Sequence, residues 1–424
     1  MGLLKKNIIY SGILTTANYI FPLLTYPYVS RVLGVSNIGA CNFVDSVINY
    51  FLILSALGIG VVGIREIAKN KVDKVQLEQT FSKLFTINTI TTSIALAVLL
   101  VAIHFVPDFQ EYYELMWVGV LKLVFNYLLI EWFYKGMEDF KYITNRTVAV
   151  RFIYVVSVFL FVKNADDVIM YYFLSTATII VNAIINVLYA RKFLRIRLSF
   201  SGLKEHATSM SILGIYSILT SMYTTFNVAY LGFVSSDVEV GYYTTATKIH
   251  TIILMAFTAV TGVLMPRMAS ILFQKHYDEY ERLIKKSVKI LMAFAIPSII
   301  MIEILAPFII RFLAGSGYEG AILPLRIIAP LIFVIGFEQI LITQSLMPMG
   351  KDKAILMNSI LGAFVGFTAN LVIVPHLASV GSAIVWVISE SMVMILAFYN
   401  FSKEWRKIKR RFVTSVSAQN RISS

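Results

Sequence analysis

Apolar residues run through this chain in long blocks, broken at intervals by short polar segments. The blocks lie near residues 8–30, 38–64, 81–103, 114–134, 142–162, 168–190, 209–233, 241–265, 286–312, 321–346, 354–375 and 380–402. Each matches the ~20 apolar residues that a helix needs to cross the hydrocarbon core of a bilayer. The pattern predicts an all-α polytopic membrane protein of about twelve transmembrane helices. The longest polar break in the middle, residues 191–208, divides the blocks into two sets of six. The expected organisation is an N-terminal lobe (1–190), a cytoplasmic linker (191–208), a C-terminal lobe (209–402) and a basic tail (403–424).

The composition agrees. The 424 residues are 58% hydrophobic and 14% charged, against ~25% charged in a soluble globular domain. Lys5 and Lys6 precede the first apolar block, and no small-residue cleavage site follows it. It reads as a retained start-transfer helix rather than a signal peptide. Cys41 is the single cysteine, so no internal disulfide forms.

The formal net charge is +13, with 37 basic residues. Their location decides against nucleic acid. Most fall in alternate connections: Arg65 to Lys74, Lys135 and Lys141, Arg191 to Lys204, Arg267 to Lys289, Lys351 and Lys353, and the tail from Lys403. The other connections carry Asp108, Glu111, Asp166, Asp167, Asp237, Glu239 and Glu319, with Lys163 as the main basic exception. The positive-inside rule then places both termini in the cytoplasm. The segments on the acidic side are too short to fold as a domain.

Polar residues inside the blocks carry the next inference, because charges in a span face a cavity or one another. Ser11, Thr15, Asn18, Pro22 and Thr25 share one face of helix 1. Ser217, Thr220, Thr224 and Asn227 repeat that rhythm in helix 7, at the start of the second half. Asn42, Asp45 and Asn49 mark helix 2, and Thr244, Lys248 and Thr251 mark helix 8. Ser and Thr stripes also serve as polar glue between helices; the charges Asp45 and Lys248 favour a hydrated cleft. Lys83, Lys122, Arg146, Arg151, Arg326, Glu131, Glu303, Glu338 and Glu390 also lie within spans, and Arg31 and Arg311 lie near their outer ends. Cations are in excess, which suits an anionic ligand, and guanidinium suits phosphate. Glu131 and Lys135 are spaced to pair. Pro22 and Pro27 are expected to break helix 1. The halves also share a faint repeat, Leu33-Gly34 with Gly39 against Leu231-Gly232 with Gly241.

Several chemistries are missing. No phosphate-binding G-x-x-x-x-G-K-[ST] loop occurs, and the five histidines lack metal-ligand spacing. No G-x-S-x-G nucleophile elbow is present. The chain reads as a transporter, not an enzyme, with no cofactor and no metal.

Six segments together resemble the polysaccharide repeat-unit flippases, the Wzx-type branch of the MOP transporter superfamily. They are Tyr26-Pro-Tyr-Val-Ser-Arg-Val-Leu-Gly34, Gly63-Ile-Arg-Glu-Ile-Ala68, Glu131-Trp-Phe-Tyr-Lys-Gly-Met-Glu-Asp-Phe-Lys-Tyr-Ile143, Val240-Gly-Tyr-Tyr-Thr-Thr-Ala-Thr-Lys-Ile249, Leu264-Met-Pro-Arg267 and Leu346-Met-Pro-Met-Gly-Lys-Asp-Lys353. Glu131 stands where that family often has Asp. The resemblance implies two six-helix lobes around a central cleft in a bacterial inner membrane. It implies export of an undecaprenyl-pyrophosphate-linked oligosaccharide repeat unit, as in O-antigen or capsule assembly. Alternating access would be driven by membrane potential or by a proton or sodium gradient. The partners would be that lipid-linked oligosaccharide, membrane lipids and other glycan-assembly proteins.

The candidate cationic cleft is Arg31, Lys83, Lys122, Arg146, Arg151, Lys248 and Arg326, and the candidates for cation coupling are Asp45 and Glu338. Three other readings stand beside this one. A MATE-like drug or cation antiporter would want acids in the cleft. A membrane glycan polymerase or ligase would want large outer loops. A scaffold without transport is the third.

Overall fold

The computed structural model describes residues 3–221 and 225–422, and every regular element among them is helical. The principal helices are α1 (Leu3–Ala56), α2 (Ile59–Asn70), α3 (Lys74–Phe105), α4 (Tyr113–Asn126), α5 (Glu131–Gly136), α6 (Phe140–Phe161) and α7 (Val168–Ala190). They continue as α8 (Leu203–Ser221), α9 (Thr225–Val234), α10 (Asp237–Phe273), α11 (Tyr277–Leu313), α12 (Ile322–Ile328), α13 (Leu331–Leu341) and α14 (Asp352–Ile422).

Eight helical stretches are long and apolar enough to cross a membrane among the described residues. The first runs 62 residues, Ile9–Asn70, and the last 58 residues, Asp352–Lys409. At 1.5 Å per residue such rods measure about 90 Å, three times the hydrocarbon core. Each is interrupted. Gly34 leaves the helical region at φ 77°, ψ 171° inside α1, and Ala378 does so at φ 45°, ψ −123° inside α14. Leu57 and Gly58, both at positive φ, separate α1 from α2. Each long stretch therefore holds two crossings. With α8–α9 and α10, the protein has about twelve spans, as the apolar blocks predict. The break in α1 differs from expectation: Pro22 and Pro27 both sit inside continuous helix, and the backbone turns at Gly34 instead. Glycine enters that φ region without a Cβ clash.

Large apolar residues stay exposed along the outer faces, including Phe152, Leu160, Leu188, Ile304, Phe308, Phe364 and Phe398. In a lipid solvent those faces need no protein cover.

The chain forms two compact units: residues 1–244 with 310–320, and residues 245–309 with 321–424. This boundary does not coincide with the linker at 191–208, because α8, α9 and the start of α10 belong to the first unit. The core of that unit shows what two of the quoted segments do. Ile67 of α2, Phe81 and Phe85 of α3, and Trp132, Phe133 and Tyr134 of α5 make one buried cluster. A Cβ on Gly63 would lie 2.6 Å from the Trp132 ring, and one on Gly136 would lie 2.7 Å from Ile67. The Gly-x-Arg-Glu segment and the Trp-containing segment are shaped for each other. Arg65 and Lys69 turn outward and share Glu66 at 2.9 and 3.1 Å.

Candidate functional site

Glu131 opens α5, just after Ile130 turns the chain at φ 40°. That turn points its carboxylate back toward α6. Arg146 Nη2 donates to Glu131 Oε1 at 2.7 Å, and Lys135, one turn along α5, reaches Glu131 Oε2 at 3.3 Å. Arg146 is buried. Both terminal nitrogens are held further: Nη1 donates to Asn186 Oδ1 on α7, and Nη2 also to Thr147 at 2.9 Å, while Nε is buried without a partner. Asn186 is locked in turn by Tyr142, whose hydroxyl donates to its Oδ1 at 2.9 Å, and by the Leu129 carbonyl, which accepts from its Nδ2. A buried charge is tolerated when a carboxylate and several hydrogen bonds compensate it.

Above this network lies a cavity of about 440 Å³ between α1, α5, α6 and α7. Asn18, Glu131, Lys135, Arg151, Thr178 and Asn182 line it. Arg151 differs from Arg146. Its Nη1 approaches only the carbonyls of Ala17 and Asn18, both at 3.4 Å, and it makes no ion pair among the described residues. Asn182 Oδ1 is buried without a donor. Two cations, Lys135 and Arg151, therefore line the cavity beside one carboxylate, Glu131, which already serves the buried Arg146. Such a place attracts an anion, and the free guanidinium offers a two-pronged contact to phosphate oxygens. A second cavity of about 200 Å³ opens on the other side of Glu131 and Lys135, lined by Ser55, Asn88 and Asn126 among others.

The remaining candidates are dispersed. Lys122 of α4 pairs with Asp45 of α1, and Tyr172 of α7 donates to the same carboxylate oxygen at 3.1 Å. Arg31 is exposed and fastens backbone: it donates to the Pro27 and Phe312 carbonyls and leans on Gly315. Lys83 is half-buried beside Gly202 of the linker. In the second unit, Arg326 donates to the Glu303 carbonyl at 3.1 Å, with the Glu303 carboxylate at 4.0 Å. Glu338 of α13 is half-buried, and Glu390 of α14 is buried and accepts from the Trp386 indole at 3.0 Å. Lys248 is half-buried on α10 and has a partner of its own. Of the helix 7 stripe, Thr224 and the side chains of Ser217 and Thr220 lie outside the described residues.

Sequence reasoning missed the α7 contribution. Ser175, Thr178, Asn182 and Asn186 follow one another at three, four and four residues, a stripe as regular as that of helix 1. The signal was present in an apolar block without charges. In the sequence Lys135 is a topology signal and a partner for Glu131, and its place at the cavity wall emerges only from the fold.

A model of the family described as "Polysaccharide biosynthesis protein" matches residues 4–272. The chain belongs to this family. A relative named as an O-antigen transporter from Escherichia coli (strain K12) is 24% identical over 396 residues, covering 93% of this chain and 95% of that relative. Another relative of that name, from Shigella dysenteriae, is 22% identical over 397 residues, covering 92% and 98%. Among solved structures, an inward-facing MATE-family multidrug resistance transporter of the MOP superfamily superposes with a TM-score of 0.74 at 15% identity, covering 92% of this chain and 95% of that one. The lipid II flippase MurJ in an inward closed conformation superposes with a TM-score of 0.71 at 13% identity, covering 95% and 90%. The fold of this family member is thus the MOP fold.

Proposed function

We propose that this protein is a flippase that carries a lipid-linked oligosaccharide repeat unit across the bacterial inner membrane, from the cytoplasmic to the periplasmic leaflet. The family, the O-antigen transporter relatives and the MOP fold support transport of a polysaccharide unit. The finer substrate we propose is an undecaprenyl-pyrophosphate-linked oligosaccharide. One observation carries this choice: Arg151, with no carboxylate of its own, faces a polar cavity where cations exceed acids. A drug antiporter for organic cations would want the opposite balance.

In this reading the pyrophosphate is drawn to Arg151 and Lys135. Asn18, Thr178 and Asn182 offer hydrogen bonds to sugar hydroxyls. The prenyl tail stays in lipid, where the outward faces are already apolar. The expected lobes of residues 1–190 and 209–402, joined by the cytoplasmic linker, alternate in opening the path. A cation gradient drives the cycle, with Asp45 and Glu338 as its candidate carriers. Both termini face the cytoplasm, and other glycan-assembly proteins act beside the flippase.

The test is reconstitution in liposomes with a fluorescent undecaprenyl-pyrophosphate oligosaccharide. The wild type is expected to expose the label to the opposite leaflet, and Arg151→Gln is expected to slow this at least tenfold with normal folding. Equal rates in protein-free liposomes and in wild type would end this reading.

A further inference from the structure

The last apolar block ends at residue 402, and α14 continues beyond it with two unlike faces. One face is fastened to the second unit. Trp405 packs on Met268, Ile271 and Tyr280, and beside it Glu404 pairs with Lys351 at 2.7 Å and Lys409 pairs with Glu281. At about 3.6 residues per turn, Tyr399, Lys403, Arg406 and Lys407 share the opposite face. These four residues line a cavity of about 300 Å³. No acid lines it. Lys407 reaches Glu404, which Lys351 already shares. Lys403 lies over the Tyr399 ring, 6.0 Å from its centroid. Neither Lys403 nor Arg406 forms an ion pair among the described residues. Just before the cavity, Ile395, Phe398 and Tyr399 are all more than half exposed, so an apolar lipid-facing strip leads directly into the charges.

We propose that this cavity binds the headgroup of an anionic phospholipid, of the phosphatidylglycerol kind, on the side of the membrane expected to face the cytoplasm. The Arg406 guanidinium offers paired N–H groups to the phosphodiester oxygens, and Lys403 and Lys407 add charge around them. Tyr399 supplies an apolar ring with a polar tip, the chemistry of the headgroup level. The acyl chains run along Phe398 and Ile395. A soluble anion uses only the charges; a phospholipid uses the charges and the strip together. A zwitterionic headgroup carries its own cation into a place that already has three, so the net negative lipid is preferred. Because Trp405 and the two ion pairs hold α14 from behind, the cavity exists before the lipid arrives, and little has to be ordered on binding. The bound lipid then fixes the depth of the last crossing in the bilayer. This site is separate from the cavity at Arg151 and does not depend on the flippase reading.

Native mass spectrometry of the full-length protein in detergent, with phosphatidylglycerol added, tests the site without any transport substrate. The wild type is expected to retain phosphatidylglycerol at concentrations where phosphatidylethanolamine is lost. Lys403→Gln combined with Arg406→Gln is expected to weaken that retention about tenfold, since each cation near a lipid surface contributes to it. Lys286→Gln combined with Lys289→Gln removes two charges from exposed positions on α11 and is expected to leave it unchanged. Equal weakening by the two double variants shows diffuse attraction and overturns the proposal, as does equal retention of the two lipids. An excess of inorganic phosphate is the last arm. Persistence of the lipid in its presence supports a headgroup site with an apolar strip, and displacement assigns the cavity to a soluble anion instead. Monodisperse elution checks folding. Should the double variant fail it, Lys403→Gln and Arg406→Gln are measured singly, and full retention in both overturns the proposal.

Discussion

Gly39 and Gly241 let two helices meet backbone to backbone. A Cβ placed on Gly39 would lie 1.8 Å from the Asp237 carbonyl oxygen, and one on Gly241 would lie 2.4 Å from the Val35 carbonyl oxygen. These are the glycines that correspond in the faint repeat between the two halves. Each makes room for the backbone beside the other. Around them Gly232 accepts the Phe43 ring and Asn42 donates to the Thr244 hydroxyl at 3.0 Å. At the same end of the first unit, the Tyr318 hydroxyl donates to the Ser30 carbonyl at 3.2 Å.

Adding a methyl group at either glycine should force these helices apart. Overpacking of this kind costs about 1–3 kcal/mol, and a backbone neighbour cannot yield as a side chain does. We expect Gly39→Ala and Gly241→Ala to lower the melting temperature of the detergent-solubilised protein. Gly12→Ala is the control, since nothing lies within 4 Å of the added carbon. Equal melting of Gly39→Ala and Gly12→Ala would contradict the close approach.

Loss of Glu131 should strand a buried cation. Breaking a buried pair costs about 3–5 kcal/mol; the Glu131 side chain is 32% exposed, so the lower part of that range applies. Glu131→Gln is expected to destabilise strongly. Glu131→Gln combined with Arg146→Met, which removes both charges, is expected to recover most of the loss. A double-mutant cycle on melting temperatures measures this coupling, and additive effects would argue against the pairing.

Asp45 offers a choice between counter-ion and cation carrier. As the counter-ion of buried Lys122, it should become dispensable once that charge is gone. Asp45→Asn should then impair folding, and Asp45→Asn with Lys122→Met should restore both folding and glycan export. If the double variant folds normally but exports nothing, Asp45 carries a charge that transport itself requires.

The acidic-side loops give a pH dependence. Tyr112 donates to Asp237 Oδ1 at 2.8 Å. Burial raises the Asp237 carboxyl above the usual aspartate range, opposed by the Tyr112 hydrogen bond and reinforced by the charge of Glu111. The folded state therefore holds this proton more tightly than the unfolded state. Stability from this group is fully present in acid and declines as pH rises from about 4, the ordinary aspartate value. Tyr112→Phe removes the opposing hydrogen bond and should steepen the decline. Burial and the Asp237 charge also keep the Tyr112 phenol neutral beyond its usual range. A second decline is expected above about pH 10, where unfolded phenols ionise, and Tyr112→Phe should make it shallower by this one group's share. Melting curves from acid to alkaline buffer separate the two limbs; a flat acid limb in wild type would contradict the Asp237 assignment.

The spans were legible in the residues because lipid imposes one strong rule. A backbone crossing hydrocarbon must satisfy its own hydrogen bonds, so each crossing is written as ~20 apolar residues. Charges between the blocks predict an orientation by a separate rule, with both termini expected in the cytoplasm. The Glu131–Lys135 pair was readable too, because both partners sit one turn apart on the same short helix.

Contacts between distant helices were not readable in this way. An arginine in a span looks the same whether it is buried in a pair, as Arg146 is, or faces a cavity, as Arg151 does five residues later. Only the rotation of α6 against α1 and α7 separates them. The bond from Arg146 to Asn186 joins α6 to α7 across 40 residues, and no spacing rule reaches that far. By itself the sequence determined which solvent surrounds each helix and where the chain must cross it, since hydropathy acts residue by residue. The tertiary structure alone decided which charges neutralise one another and which remain available, since Coulomb interactions and hydrogen bonds depend on distance in space.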